Sequence, residues 1–202
     1  MKCGNASFIR RGPASGNLSP EARPELPDRL TDYLTGADIP FSNRDNIRQI
    51  TLKFLVEEKG FLKEDLCADR EITFELEGRP VSSLVDISVR LNNITVMVWK
   101  CASGSLVSRE RQIIASARLL EDYVVPFAAV TNGKDAELLD AVSEKVTGSG
   151  FESIPTRQAL WESLGNLFLK TPNAKKIINE QRILYTYDAI CCPVNPGANA
   201  SS

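Results

Sequence analysis

The chain has 202 residues, of which 43% are hydrophobic and 25% charged, with a formal net charge of −2. That length supports one domain with loosely attached ends and a sizeable core that needs no disulfides, while the charge balance excludes a strongly basic nucleic-acid coat protein but not a local basic groove. The absence of any histidine excludes Ser-His-Asp and Cys-His triads and His-ligated zinc, so catalysis would rest on carboxylates, Lys, Arg, Tyr or a bound metal.

Met1 to Pro27 is rich in Gly, Pro, Ser, Asn and Arg and reads as a disordered arm without the apolar stretch of a secretory signal. No apolar run approaches the roughly 20 residues needed to cross a bilayer, so the expected location is cytoplasmic, with no membrane partner. Leu30 to Leu34 suggests a short helical turn stopped at Gly36. Ser42 and Asn43 are N-cap types, and Ile47, Ile50, Thr51, Phe54 and Leu55 recur at helical spacing up to the stop at Gly60. Glu58 lies in the last turn of that helix, where the macrodipole disfavours anions, and a solvated role fits it better than a catalytic one.

Three strands follow. Glu71 to Leu76 alternates, Gly78-Arg79-Pro80 turns the chain, Leu84 to Leu91 alternates again, and Asn92-Asn93 is a tight turn into the apolar run Ile94 to Trp99, which Lys100 ends. Ser103-Gly104-Ser105 is a loop, Ser108 to Leu120 a helix, and Val124 to Val130 a buried strand closed by Thr131-Asn132-Gly133. Ala136 to Val146 fits a helix or a short hairpin. Two helices close the chain, capped by Thr156 and by Thr171 with Pro172 at the first position. Leu160, Leu164 and Leu167 stripe the first. The basic residues between Arg157 and Arg182 read as a solvated face. Cys3, Cys67, Cys101, Cys191 and Cys192 show neither a CxxC pair nor metal-ligand spacing and read as reduced structural thiols. The domain reading is an arm over 1–27, an α/β domain over 28–155, C-terminal helices packed on it over 156–192 and a disordered tail over 193–202.

Asp86 on one strand and Lys100 at the end of the next are the pair that could carry chemistry. A metal-dependent phosphodiesterase needs carboxylates to hold Mg²⁺ and a lysine to orient water or offset developing charge. Four pieces in order, RQITLKFLVEEKGF, VDISVRL, MVWKCASGSL and VPFAAVTNG, resemble the N-terminal domain family of Type I restriction enzyme R subunits. The resemblance implies a restriction-endonuclease-like αβββαβ core, a mixed sheet flanked by helices, with DNA as the ancestral substrate. It implies Asp86 as the metal-binding Asp, Lys100 as the catalytic Lys and Glu58 as the acid on the first helix. Two departures stand out: Val98 occupies the position where the family carries Glu, and Gln112 is followed four residues later by Ser116 rather than Tyr. Glu110 is the candidate for an acid that has migrated onto the following helix.

Strand geometry adds a condition. A clean two-residue turn at Asn92-Asn93 would pair Asp86 with Trp99 and point Lys100 to the opposite face. A shared site therefore requires a bulge or a longer turn near Asn92. Taken alone, Asp86 reads as an exposed polar residue and Lys100 as a strand-edge guard. Trp99 and Trp161 read as core, Arg109 and Arg111 as a solvated face, and burial opposes any lowering of the Cys101 pKa by Lys100. The first functional reading is a catalytically degenerate nuclease-fold protein that binds DNA or protein partners of a restriction-like system. The alternatives are an active Mg²⁺-dependent endodeoxyribonuclease using Asp86, Lys100 and Glu110 or Glu58, and a non-enzymatic interaction scaffold. No Walker-type GxxxxGK[ST] loop occurs in the sequence.

Overall fold

The Ser42 hydroxyl accepts the Asp45 N–H and starts helix α1 (Asn43–Glu57), as the capping residues predict. Its end is marked by Gly60 at φ 74°, a left-handed position that lets Phe61 N–H reach back to the Leu55 carbonyl at 3.0 Å. The computed structural model describes residues 27–166 and 169–191; the expected arm and tail, and Leu167 of the C-terminal stripe, lie largely or wholly outside the described residues. Ahead of α1, the turn of helix expected at Leu30–Leu34 is instead a pair of short antiparallel strands, β1 (Arg29–Thr31) and β2 (Asp38–Pro40). The Asp32 carboxylate accepts both the N–H and the hydroxyl of Thr35, a local bond that competes with helix formation.

After α1, β3 (Leu66–Leu76), β4 (Arg79–Leu91) and β5 (Ile94–Cys101) run as an antiparallel meander. Both connections are two-residue turns with positive φ at each position: Glu77-Gly78, and Asn92-Asn93 at φ 50° and 62°. Helix α2 (Val107–Leu119) crosses over to β6 (Phe127–Thr131), which pairs parallel to β5. The strand expected from Val124 begins later, because Val124 N–H bonds the Lys170 carbonyl and Val125 N–H bonds the Ala117 carbonyl instead of a ladder. The ambiguous segment is a hairpin of β7 (Ala136–Asp140) and β8 (Lys145–Ser149), with Asp140 accepting Ser143 N–H at 2.6 Å and Glu144 at φ 63°. The resulting six-stranded mixed sheet has the order β3-β4-β5-β6-β7-β8, and α1-β3-β4-β5-α2-β6 reproduces the expected αβββαβ order.

Helices cover both faces. Ile47, Leu52 and Leu55 of α1 bury against Ile87, Val89 and Trp99 on one side. Ile113, Ile114 and Ala117 of α2 bury against Val98, Ala128 and Val130 on the other. Helix α3 (Arg157–Ser163) is capped by Thr156, whereas α4 (Ala174–Cys191) starts after Asn173, whose side chain accepts Lys175 N–H at 3.0 Å and takes the role expected of Thr171. Helix α4 docks on α2 through Glu180, 3% exposed, which pairs with Arg118 at 2.6 Å and Arg111 at 3.0 Å. Arg111 is thus tied down rather than part of a solvated face. Trp99 is fully buried; Trp161, expected in the core, is half exposed with the Arg157 guanidinium 5.3 Å from its ring centroid. No described helix is long and apolar enough to cross a membrane.

Candidate functional site

The β4–β5 register meets the condition set by the sequence. Leu91 pairs with Ile94 and Arg90 with Thr95, but Val89 pairs with Met97, so the ladder shifts by one residue at Val96. Beyond this bulge Ile87 lies opposite Trp99, which brings Asp86 opposite Lys100 rather than opposite Trp99. Directly opposed residues share a face, and Lys100 Nζ stands 3.5 Å from Asp86 Oδ2 and 3.3 Å from the Leu84 carbonyl.

Asp86 has no exposed surface, contrary to the bland reading of its alternating strand. Its Oδ2 accepts the Cys101 N–H at 2.6 Å, and its Oδ1 accepts Arg44 Nε at 2.5 Å from the first turn of α1. Asp69 of β3 falls in the register gap between the Ala68–Ile87 and Arg70–Val85 pairs, facing Asp86 with φ 51°. Two carboxylates opposed across strands repel, and Arg44 bridges them, its Nη2 bonding Asp69 while its Nε holds Asp86. Burial pushes the Arg44 guanidinium down, but Asp86 and Asp69 outweigh it and hold it above its ordinary value. Burial, reinforced by the Asp86 charge, drives the Cys101 thiol well up, so this cysteine is no thiolate nucleophile.

The proposed acids do not join this cluster. Glu58 caps the C-terminus of α1 while Arg44 lies in its first turn, and a rise of about 1.5 Å per residue puts about 20 Å between their backbones. Glu110 stands beside Glu137 of β7, whose carboxyl is raised by burial and then by the Glu110 and Asp135 charges. Val98 is fully buried in the apolar layer between the sheet and α2.

A cavity of about 440 Å³ opens beside Lys100, lined also by Arg44, Ser83, Arg109, Gln112 and Asp188. Gln112 Nε2 donates to Asp188 Oδ1 at 3.2 Å, while Asp188 Oδ2 and the Ser83 hydroxyl are buried with no hydrogen-bond partner. Arg109 makes a long contact to Gln112 at 3.4 Å and lies 5.9 Å from the Tyr187 ring centroid. Asp188 carries no local signal in the sequence; it reaches the site because α4 folds back across α2. Gln112, the surviving half of the helix signature, was the one pointer toward this wall.

A divalent cation of the kind the nuclease fold implies does not fit these residues. Asp86 has both oxygens taken by a guanidinium, an ammonium and a backbone N–H, Val98 offers no oxygen, and among the described residues no three His, Cys, Asp or Glu side chains form a metal-holding group.

A sequence model described as Type I restriction enzyme R protein N terminus matches residues 43–155, from the start of α1 through the residue before the α3 cap. The chain belongs to the Type I restriction enzyme R protein N terminus family. Of the cavity residues, Arg44, Ser83, Lys100, Arg109 and Gln112 lie inside the family match and Asp188 lies outside it. This member of the Type I restriction enzyme R protein N terminus family has no match among curated proteins. Among solved structures it is similar to protein VC1899 from Vibrio cholerae at 11% identity and a TM-score of 0.30, covering 79% of this chain and 39% of that one.

Proposed function

We propose that this chain is a nuclease-fold protein that has lost metal-dependent cleavage and binds DNA through the face carrying Lys100 and Arg109. The observation that carries the reading is the Arg44–Asp86 pair: the acid that would anchor a metal is held by a guanidinium at 2.5 Å, and the companion acid is replaced by buried Val98. Removing such a buried guanidinium to admit a cation would cost a charge-assisted bond and leave its partner to be re-solvated. Lys100 and Arg109, by contrast, line an accessible cavity and suit phosphate oxygens. Family membership favours DNA, and proteins of a restriction-like system, as partners. Plasmid incubated with Mg²⁺ or Mn²⁺ is expected to stay supercoiled with the wild type as with Asp86→Ala, while salt-sensitive DNA binding is expected in a mobility-shift assay. Nicking that Asp86→Ala and Lys100→Ala both abolish would overturn the loss of cleavage.

A further inference from the structure

Two features of the cavity are left over once the Asp86 cluster is accounted for. The Ser83 hydroxyl is 2% exposed and the Asp188 Oδ2 atom fully buried, and neither has a partner among the described residues although both residues line the cavity. A buried hydroxyl or carboxylate oxygen without a partner costs free energy that a ligand can recover. The cavity carries Arg44, Lys100 and Arg109 against Asp86 and Asp188, a net positive lining with one acceptor left open. Its volume of about 440 Å³ lies within the usual range for small-ligand sites.

Resting on the reading that cleavage is lost, the geometry points to a metal-free nucleotide phosphate site in which Arg44, bridging Asp69 and Asp86, stands where a divalent cation would stand. The ligand class is a nucleoside monophosphate, either free or as the phosphorylated end of a strand. Its phosphate oxygens accept from Lys100, Arg109 and the Ser83 hydroxyl, and its base amino group or sugar hydroxyl donates to Asp188. A phosphodiester within a continuous strand has no donor at the phosphate itself, and a bound metal would compete with Arg44 for Asp86. The fixed cation removes the need for Mg²⁺, because the compensating charge is already covalently part of α1.

Fluorescence anisotropy with a short single-stranded DNA, bearing a 5′-phosphate or a 5′-hydroxyl, tests this in EDTA and in Mg²⁺. The phosphorylated strand is expected to bind about tenfold more tightly, the size of one net charge-assisted contact, equally in EDTA and Mg²⁺. Ser83→Ala and Lys100→Gln are each expected to reduce that preference, with thermal unfolding checking that the fold survives. Competition by thymidine 5′-monophosphate as strong as by the strand end would identify the free nucleotide as ligand; weak competition would identify the strand end. Equal affinity for both ends, or a preference that appears only with Mg²⁺, would overturn the inference. Equal affinity without plasmid nicking would leave the loss of cleavage standing, whereas nicking would remove the reading beneath it.

Discussion

Asp86 keeps a charge with no exposed surface because three donors share it: Arg44 Nε, the Cys101 N–H and Lys100 Nζ. Arg44 also separates Asp86 from Asp69, so Arg44→Ala strands one buried and one half-exposed carboxylate face to face. The expected cost in urea unfolding is about 3 kcal/mol or more, the range found when one partner of a buried ion pair is removed, and it should shrink in an Asp86→Asn background. Equal costs in both backgrounds would mean the two residues are not coupled. Cys101 gives a pH dependence of defined sign. Burial and then the Asp86 charge raise its folded thiol above the ordinary value of 9.0, so above pH 9 the unfolded chain releases a proton that the folded chain keeps. Stability from this group is complete below that pH and declines as pH rises, by about 1.4 kcal/mol per unit. Comparing alkaline unfolding of the wild type and Cys101→Ala should show the shallower slope in the variant; parallel slopes would contradict the assignment.

At the scale of elements, the bulge at Val96 decides which face Lys100 takes. Its need was legible in the count from Asn92-Asn93 to Asp86 and Lys100; its position was not, because a one-residue slip depends on which packing of β4 on β5 buries Val98 and Trp99 best. Helix α1 was legible at both ends because Ser42 and Gly60 act within a single turn. The β1–β2 pair and the start of α4 were not, since Asp32 and Asn173 use side-chain bonds that compete with a propensity-based reading. Helix α4 is held by the Arg118–Glu180 pair, in which burial lowers and the Glu180 and Glu144 carboxylates raise the guanidinium, with a net rise. Glu180→Ala is expected to destabilise by about 3–5 kcal/mol and to speed amide exchange along α4 more than along α1. Unchanged exchange in α4 would show that its apolar side, through Leu184, suffices to dock it.

Over the whole molecule, the sheet collects residues far apart in the chain at one place: Arg44 from α1, Asp69 and Asp86 from β3 and β4, Lys100 from β5, Gln112 from α2 and Asp188 from α4. The sequence by itself determined the αβββαβ order, the pairing of Asp86 with Lys100 as the residues to watch, and the missing acid at Val98, because periodicity, turn residues and motif spacing are properties of short stretches of chain. Only the tertiary structure decided that Arg44 holds Asp86, that Glu58 and Glu110 stand elsewhere, and that Asp188 closes the cavity. Those are outcomes of long-range packing and of charge neutralisation in a buried site, where which cation reaches a carboxylate depends on how helices settle on the sheet and not on any neighbour in the sequence.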